Sequence, residues 1–178
     1  HTSCLSDWSS DVCSSDLLLQ VAASNGVVGR ADPVSVDSDA GPDPRFAAAD
    51  AALAEGNFDA AVAEFDKLLA ASPNDAEAKA GRAQAALLGR VSALDPGQVM
   101  QRAAAAPSDV EVQLAAADAE VFGGAAAAAF ARLIEVIRFT SGEQREQVRL
   151  RLLELFETVG ATDPSVLKAR RDLMSALF

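Results

Sequence analysis

Tyrosine is missing from this sequence, and its 178 residues include a single tryptophan, a single histidine and two cysteines. Those gaps remove most of the side chains that carry chemistry. Cys4 and Cys13, with His1, have neither the CxxC spacing of a redox pair nor the ligand spacing of a zinc knuckle, so no metal and no cofactor is expected. Long apolar runs are missing too. No stretch approaches the roughly 20 residues needed to cross a bilayer, and Leu17-Leu18-Leu19 is far too short for the core of a signal peptide. A soluble, cytoplasmic protein with no membrane partner is the simplest expectation. Bases are in short supply: 15 Lys and Arg stand against 26 Asp and Glu, a formal charge of -11. That balance repels nucleic-acid phosphates and anionic lipid surfaces, so nucleic acid is not an expected partner.

What is present is apolar and rich in alanine. Half of the composition is hydrophobic, enough for one ordinary domain with a real core. The first 17 residues differ in character. Asp7 to Leu17 resembles, residue for residue, one translated frame of a common sequencing-library adapter, so 1–17 is expected to be non-native and disordered, and is set aside. Setting it aside removes His1, Trp8, Cys4 and Cys13, and leaves 23 acidic against 15 basic residues. The natural chain is expected to continue upstream of Leu18.

The rest is organised around one helical hairpin. Gly56-Asn57-Phe58 matches an inter-helix turn, Ala61 the point where two helices cross, Phe65 a packing aromatic and Pro73 a stop. Gly, Ala, Phe and Pro at such places mark a tetratricopeptide-type helix-turn-helix of about 34 residues. Such a unit buries its apolar faces only against neighbours, so its default function is binding across a stacked surface.

In chain order, Leu18 to Ser24 reads as the last turns of a helix stopped by Asn25-Gly26. Residues 26–42 are a Gly-, Pro- and Asp-containing linker. Asp43-Pro44 opens a helix, because Asp accepts free N–H groups and Pro sits where no donor is needed; Phe46, Ala49, Ala52 and Leu53 form its apolar face. A second helix is predicted over 59–71, and a third over 76–88 with Asn74 as its cap. Beyond Gly89-Arg90 the repeat pattern is lost, and Asp95-Pro96-x-Gln98 starts a short helix. Ser108-x-x-Glu111 has the form of a capping box, Gly123-Gly124 of a hairpin turn, and Ser141-x-x-Gln144 of another cap. Asp163-Pro164 launches the last helix, 165–177. The expected fold class is all-α, an α-solenoid of irregular helical hairpins over 43–178.

Candidate chemistry is thin. Asp118 with Glu120, and Glu154 with Glu157, are carboxylate pairs of the kind used in acid/base work; solvated helix faces are the competing reading and the one expected. Gly123-Gly124 lacks the pattern of a phosphate loop, and neither Ser141 nor Ser175 has an activating partner, so catalytic residues are not expected. Two surfaces are candidates for partners. Arg45, Lys79 and Arg82, on first helices of the repeats, would meet an extended or acidic peptide on the concave face; ordinary surface charge is the alternative. Leu167, Lys168, Arg170, Arg171, Leu173, Met174, Leu177 and Phe178 form a basic and apolar end that would either pack on the domain or meet a partner.

The helix remnant 18–25, the linker, the hairpin from Gly56 to Pro73, the stretch Ser108 to Leu133, and the ending from Gly160-x-x-Asp163-Pro164 through Lys168, Arg170, Arg171 and Leu173 to Leu177-Phe178 together resemble the C-terminal part of thioredoxin-like co-chaperones with tetratricopeptide repeats. The Ala-rich, acidic composition is similar to actinobacterial members. The resemblance implies a protein whose N-terminal thioredoxin-fold domain and C-terminal repeats hold unfolding client proteins, protect their thiols and pass them to the chaperonin. Residues 18–25 would be the last helix of that domain, and no family cysteine maps onto this chain. A general scaffold for one specific partner, or the substrate-positioning part of a thiol-disulfide oxidoreductase, remain open as alternatives.

Overall fold

The computed structural model describes residues 43–177. The segments 1–17, 18–25 and 26–42, and Phe178, lie outside the described residues. Within them the fold is all-α: eight α-helices, a short opening turn and no strand.

Asp43 caps the opening 3-10 turn Pro44–Phe46 through the Arg45 N–H, 2.9 Å from its Oδ1. Helix α1, Ala47–Ala54, follows directly. It ends at Gly56, whose φ of +72° lies in the left-handed region where a Cβ is strained. The Asn57 N–H then reaches back to the Ala52 carbonyl at 2.8 Å, and the Asn57 side chain caps helix α2, Phe58–Ala71, through the Ala60 N–H at 3.2 Å. Helix α3 is Ala76–Val91, α4 Pro96–Ala105, α5 Val110–Phe122, α6 Ala126–Phe139, α7 Gly142–Val159 and α8 Pro164–Leu177.

Two expected caps are displaced, and a third makes no side-chain bond. The side chain capping α3 is Asp75, not Asn74; it accepts from the Glu77 and Ala78 N–H groups at 3.1 Å each. At α5 it is Asp109, not Ser108, accepting from Val112. In both cases the acid immediately before the first helical residue takes the position, because its full charge faces the positive end of the helix dipole. Ser141 occupies the cap position of α7 without a side-chain bond, and Arg145 donates to the Thr140 carbonyl instead. The third helix also outruns its predicted end, continuing three residues to Val91.

Three apolar clusters hold the domain, the smallest joining α4 and α5 through Val99, Ala103, Val112 and Ala116. In the second, Phe46, Ala49, Ala61, Phe65, Ala78 and Ala85 join α1, α2 and α3, with the Phe46 and Phe65 rings tilted 47° at 5.7 Å. The largest joins α5, α6, α7 and α8 around the edge-on pair Phe130 and Phe156, 4.9 Å between centroids, a geometry that suits the ring quadrupoles. Helix α3 connects these last two: it packs on α2 on one side and on α5 and α7 on the other. Helix α8 does not form a hairpin with α7; it packs along α6 through Val166, Ala169 and Leu173.

Candidate functional site

Two places concentrate polar chemistry against uncovered surface. The first is a groove of about 440 Å³ between α1 and α3. Phe46, Asp50 and Leu53 recur at helical spacing along one wall, and Glu77, Ala80, Gly81 and Gln84 along the other, with Phe65 of α2 beneath. The α3 wall is small at its centre, where Ala80 carries only a methyl group and the Phe65 ring fills the space a side chain at Gly81 would take.

The second is a charge cluster at the seam between α3 and the α5/α7 pair. Asp118, only 1% exposed, accepts from Arg90 Nε at 2.8 Å and from Arg151. Arg90 also reaches Glu154 at 3.2 Å, and Glu154 lies 3.8 Å from Arg82. Burial pushes the Asp118 carboxyl above the ordinary carboxylate range, against the opposing hydrogen bond from Arg90 and the charge of Arg151. The same burial pulls Arg151 down. Asp118 is therefore no solvated face, contrary to the sequence expectation. Glu120 is likewise committed, to Arg132 at 2.7 Å. An open cleft of about 220 Å³ lined by Arg90, Glu111, Asp118 and Arg151 gives onto this cluster. A further open cavity of about 510 Å³ is lined by Phe58, Val62, Gly89 and Arg90 among others.

The cationic residues expected on the concave face do not converge. Arg45 is held by Asp43 at 2.8 Å, Asp75 at 2.7 Å and Glu77 at 3.4 Å, and its guanidinium stacks 4.9 Å from the Phe46 ring centroid. Arg82 pairs with Asp66 at 2.5 Å. Lys79 is half-buried on α3 and has no ion-pair partner among the described residues; neither it nor Arg82 lines the groove. At the carboxyl end the candidates divide. Leu173 is buried, Leu177 packs against the core, and Arg170 lies 5.7 Å over the Phe156 ring. Lys168 pairs with Asp172 at 2.6 Å, whereas Leu167, Arg171 and Met174 face outward, Met174 58% exposed. Phe178 lies outside the described residues.

Sequence reading missed Gln113. It is buried, donates to the Ala103 and Ala106 carbonyls at 2.8 and 3.1 Å, and accepts from Arg132 at 2.7 Å. It thereby serves, from a neighbouring helix, the Ala103 carbonyl near the end of α4, whose helical donor position is taken by Pro107. The signal available was a Gln among Val112, Leu114 and Ala116, on an otherwise apolar stretch. No group of three or more potential metal ligands occurs among the described residues. No helix among them is long and apolar enough to cross a membrane.

Comparison with known proteins bears on what this arrangement does. A family model described as Tetratricopeptide repeat matches residues 89–178, and a second of the same description matches residues 42–85. The uncharacterized proteins Mb1359 of Mycobacterium bovis and Rv1324 of Mycobacterium tuberculosis are each 42% identical to the chain over 136 residues. The match covers 76% of this chain and 44% of either relative, so the chain spans less than half the length of the relatives it matches. No solved structure matches it significantly.

Proposed function

This chain belongs to the tetratricopeptide-repeat family, and from that premise we propose that it is the client-holding part of a longer co-chaperone, which captures unfolding proteins and passes them to the chaperonin. Proteins of this architecture are generally non-catalytic scaffolds that bind protein partners across their stacked helices. The observation that carries the reading is the open groove between α1 and α3, a concave site over an aromatic floor that no other described element covers. Its mixed apolar and polar lining suits a segment of polypeptide. The resemblance of the ending, Gly160 to Leu177, to thioredoxin-like co-chaperones supplies the class of partner. The exposed stripe Leu167, Arg171 and Met174 on α8 is the surface assigned to the chaperonin. Residues 43–177 contain no cysteine, so any thiol exchange in the whole protein belongs to other parts of it.

The test is aggregation of two unrelated thermolabile proteins, followed by light scattering with and without the chain. Slower aggregation of both, at about equimolar chain, is expected. Protection of neither, with tight capture of one specific folded partner, would replace client holding by a dedicated scaffold.

A further inference from the structure

The groove between α1 and α3 has a sign. Resting on the protein-binding reading above, we infer that its occupant is a basic amphipathic segment: an apolar side chain seated over Leu53, Ala80 and Phe65, flanked by Lys or Arg that meet Asp50 and Glu77. The argument begins with charge. Asp50 on the α1 wall is exposed and has no ion-pair partner among the described residues. Glu77 on the α3 wall is exposed, and its one cation, Arg45, lies 3.4 Å away. That cation is already engaged by two closer carboxylates, Asp43 at 2.8 Å and Asp75 at 2.7 Å. Three carboxylates, Asp43, Asp75 and Glu77, thus share one guanidinium at this end of the domain.

The cations of α3 do not offset them: Arg90 is engaged by Asp118 and Glu154 at the seam. Lys79 and Arg82 project from α3 away from the stripe Glu77, Ala80, Gly81 and Gln84 that lines the groove. An acidic segment would add like charges along both walls, whereas a basic one finds a carboxylate on each. The apolar part of the site is as specific as the charged part. Leu53 and the small Ala80 form the apolar stretch of the groove, and its volume of about 440 Å³ accommodates a short run of side chains. Apolar contact supplies affinity, and the flanking carboxylates discriminate among partners and speed encounter. An unfolding protein exposes many apolar segments, so this site would select those bracketed by bases.

The experiment uses the full chain and two synthetic peptides, one alternating Leu with Lys and the other Leu with Glu, with binding followed by fluorescence anisotropy. The Leu/Lys peptide is expected to bind at least about tenfold more tightly, a difference of about 1.4 kcal/mol, and to weaken as salt is added. The double variant Asp50→Asn with Glu77→Gln should abolish most of that preference. The same charge change at two exposed sites outside the groove, Glu135→Gln with Glu143→Gln, should leave it intact. Equal binding of the two peptides, binding of neither, or equal loss in both double variants overturns the inference. Client holding through another surface would survive any of those results, because aggregation is read separately.

Discussion

Gly81 lies so close to the ring of Phe65 that a Cβ at position 81 would fall 2.5 Å from both Cε1 and Cζ. The absent side chain sets how closely α3 approaches α2, and it leaves the aromatic ring as floor of the groove. Gly81→Ala is therefore expected to destabilise the fold, even though Ala favours a helix over Gly by about 1 kcal/mol. Overpacking of a filled site costs about 1–3 kcal/mol. Combining it with Phe65→Leu should recover part of that loss, as a positive coupling in a double-mutant cycle by denaturant unfolding. A more stable Gly81→Ala single variant would show that the ring has room to move.

Asp118 is the buried acid shared by Arg90 and Arg151 at the α3 seam, with the more exposed Glu154 lying 3.2 Å from Arg90 and 3.6 Å from Arg151. Asp118→Ala leaves two guanidinium groups without their buried partner and should cost about 3–5 kcal/mol. Asp118→Asn retains an acceptor and should cost much less. Because burial raises the Asp118 pKa above its ordinary 3.8, the native state holds the proton to higher pH than the unfolded chain. The associated stability is full below 3.8 and is lost as pH rises through the folded value. The advantage of the natural protein over Asp118→Asn should accordingly shrink as pH rises across that window; an advantage that widens would contradict the raised pKa.

The caps titrate in the opposite sense. Asp75 is held below 3.8 by the N–H of Ala78, then by Arg45 and the N–H of Glu77, and Asp163 by the hydroxyl and N–H of Ser165. Their contribution is present above that ordinary value and disappears as pH falls through the lower folded value. Asp75→Ala should lower Tm at neutral pH and have little effect in strong acid. Asn74→Ala and Ser108→Ala should leave Tm nearly unchanged at either pH, since neither side chain caps its helix; circular dichroism melts decide.

Gln113→Leu should destabilise by about 1–3 kcal/mol, because it strips the Ala103 carbonyl of its donor and Arg132 of an acceptor. The loss should appear as faster hydrogen exchange near the end of α4, with α8 unaffected.

The two faces of α8 make a matched comparison. Leu173 is 7% exposed within the larger core, and Leu173→Ala should cost about 2–5 kcal/mol. Leu167→Ser and Met174→Ser lie outside it and should change stability by no more than about 0.5 kcal/mol. If the outer face of α8 meets the chaperonin, those two variants alone will weaken capture in a pull-down; undiminished capture removes that assignment. Truncation from Leu167 is a poorer test, since it deletes core and surface together.

Helix class and most helix positions were legible because local signals agree: apolar residues at helical spacing, Asp-Pro starts at 43 and 163, and Gly turns at 56 and 124. The caps at Asn74 and Ser108 were misread for a local reason, since each stands one position before an acid that competes for the same N–H groups. Asp118 was misread for a non-local one. Nothing near it in sequence marks it as buried; its partners are 28 and 33 residues away, on α3 and α7.

By itself, then, the sequence determined what depends on neighbours within a turn or two: helices, their breaks, the hairpin at Gly56 and the absence of thiol or imidazole chemistry from 43–177. Only the tertiary structure decided which charges are neutralised and which remain open to a partner. Arg45, Lys79 and Arg82 read as one basic face, yet Arg45 and Arg82 are drawn to carboxylates from other turns and helices, and the groove beside them is lined by Asp50 and Glu77. The reason is physical: Coulomb and desolvation energies depend on distance through space and on burial, and neither is encoded at a fixed spacing along the chain.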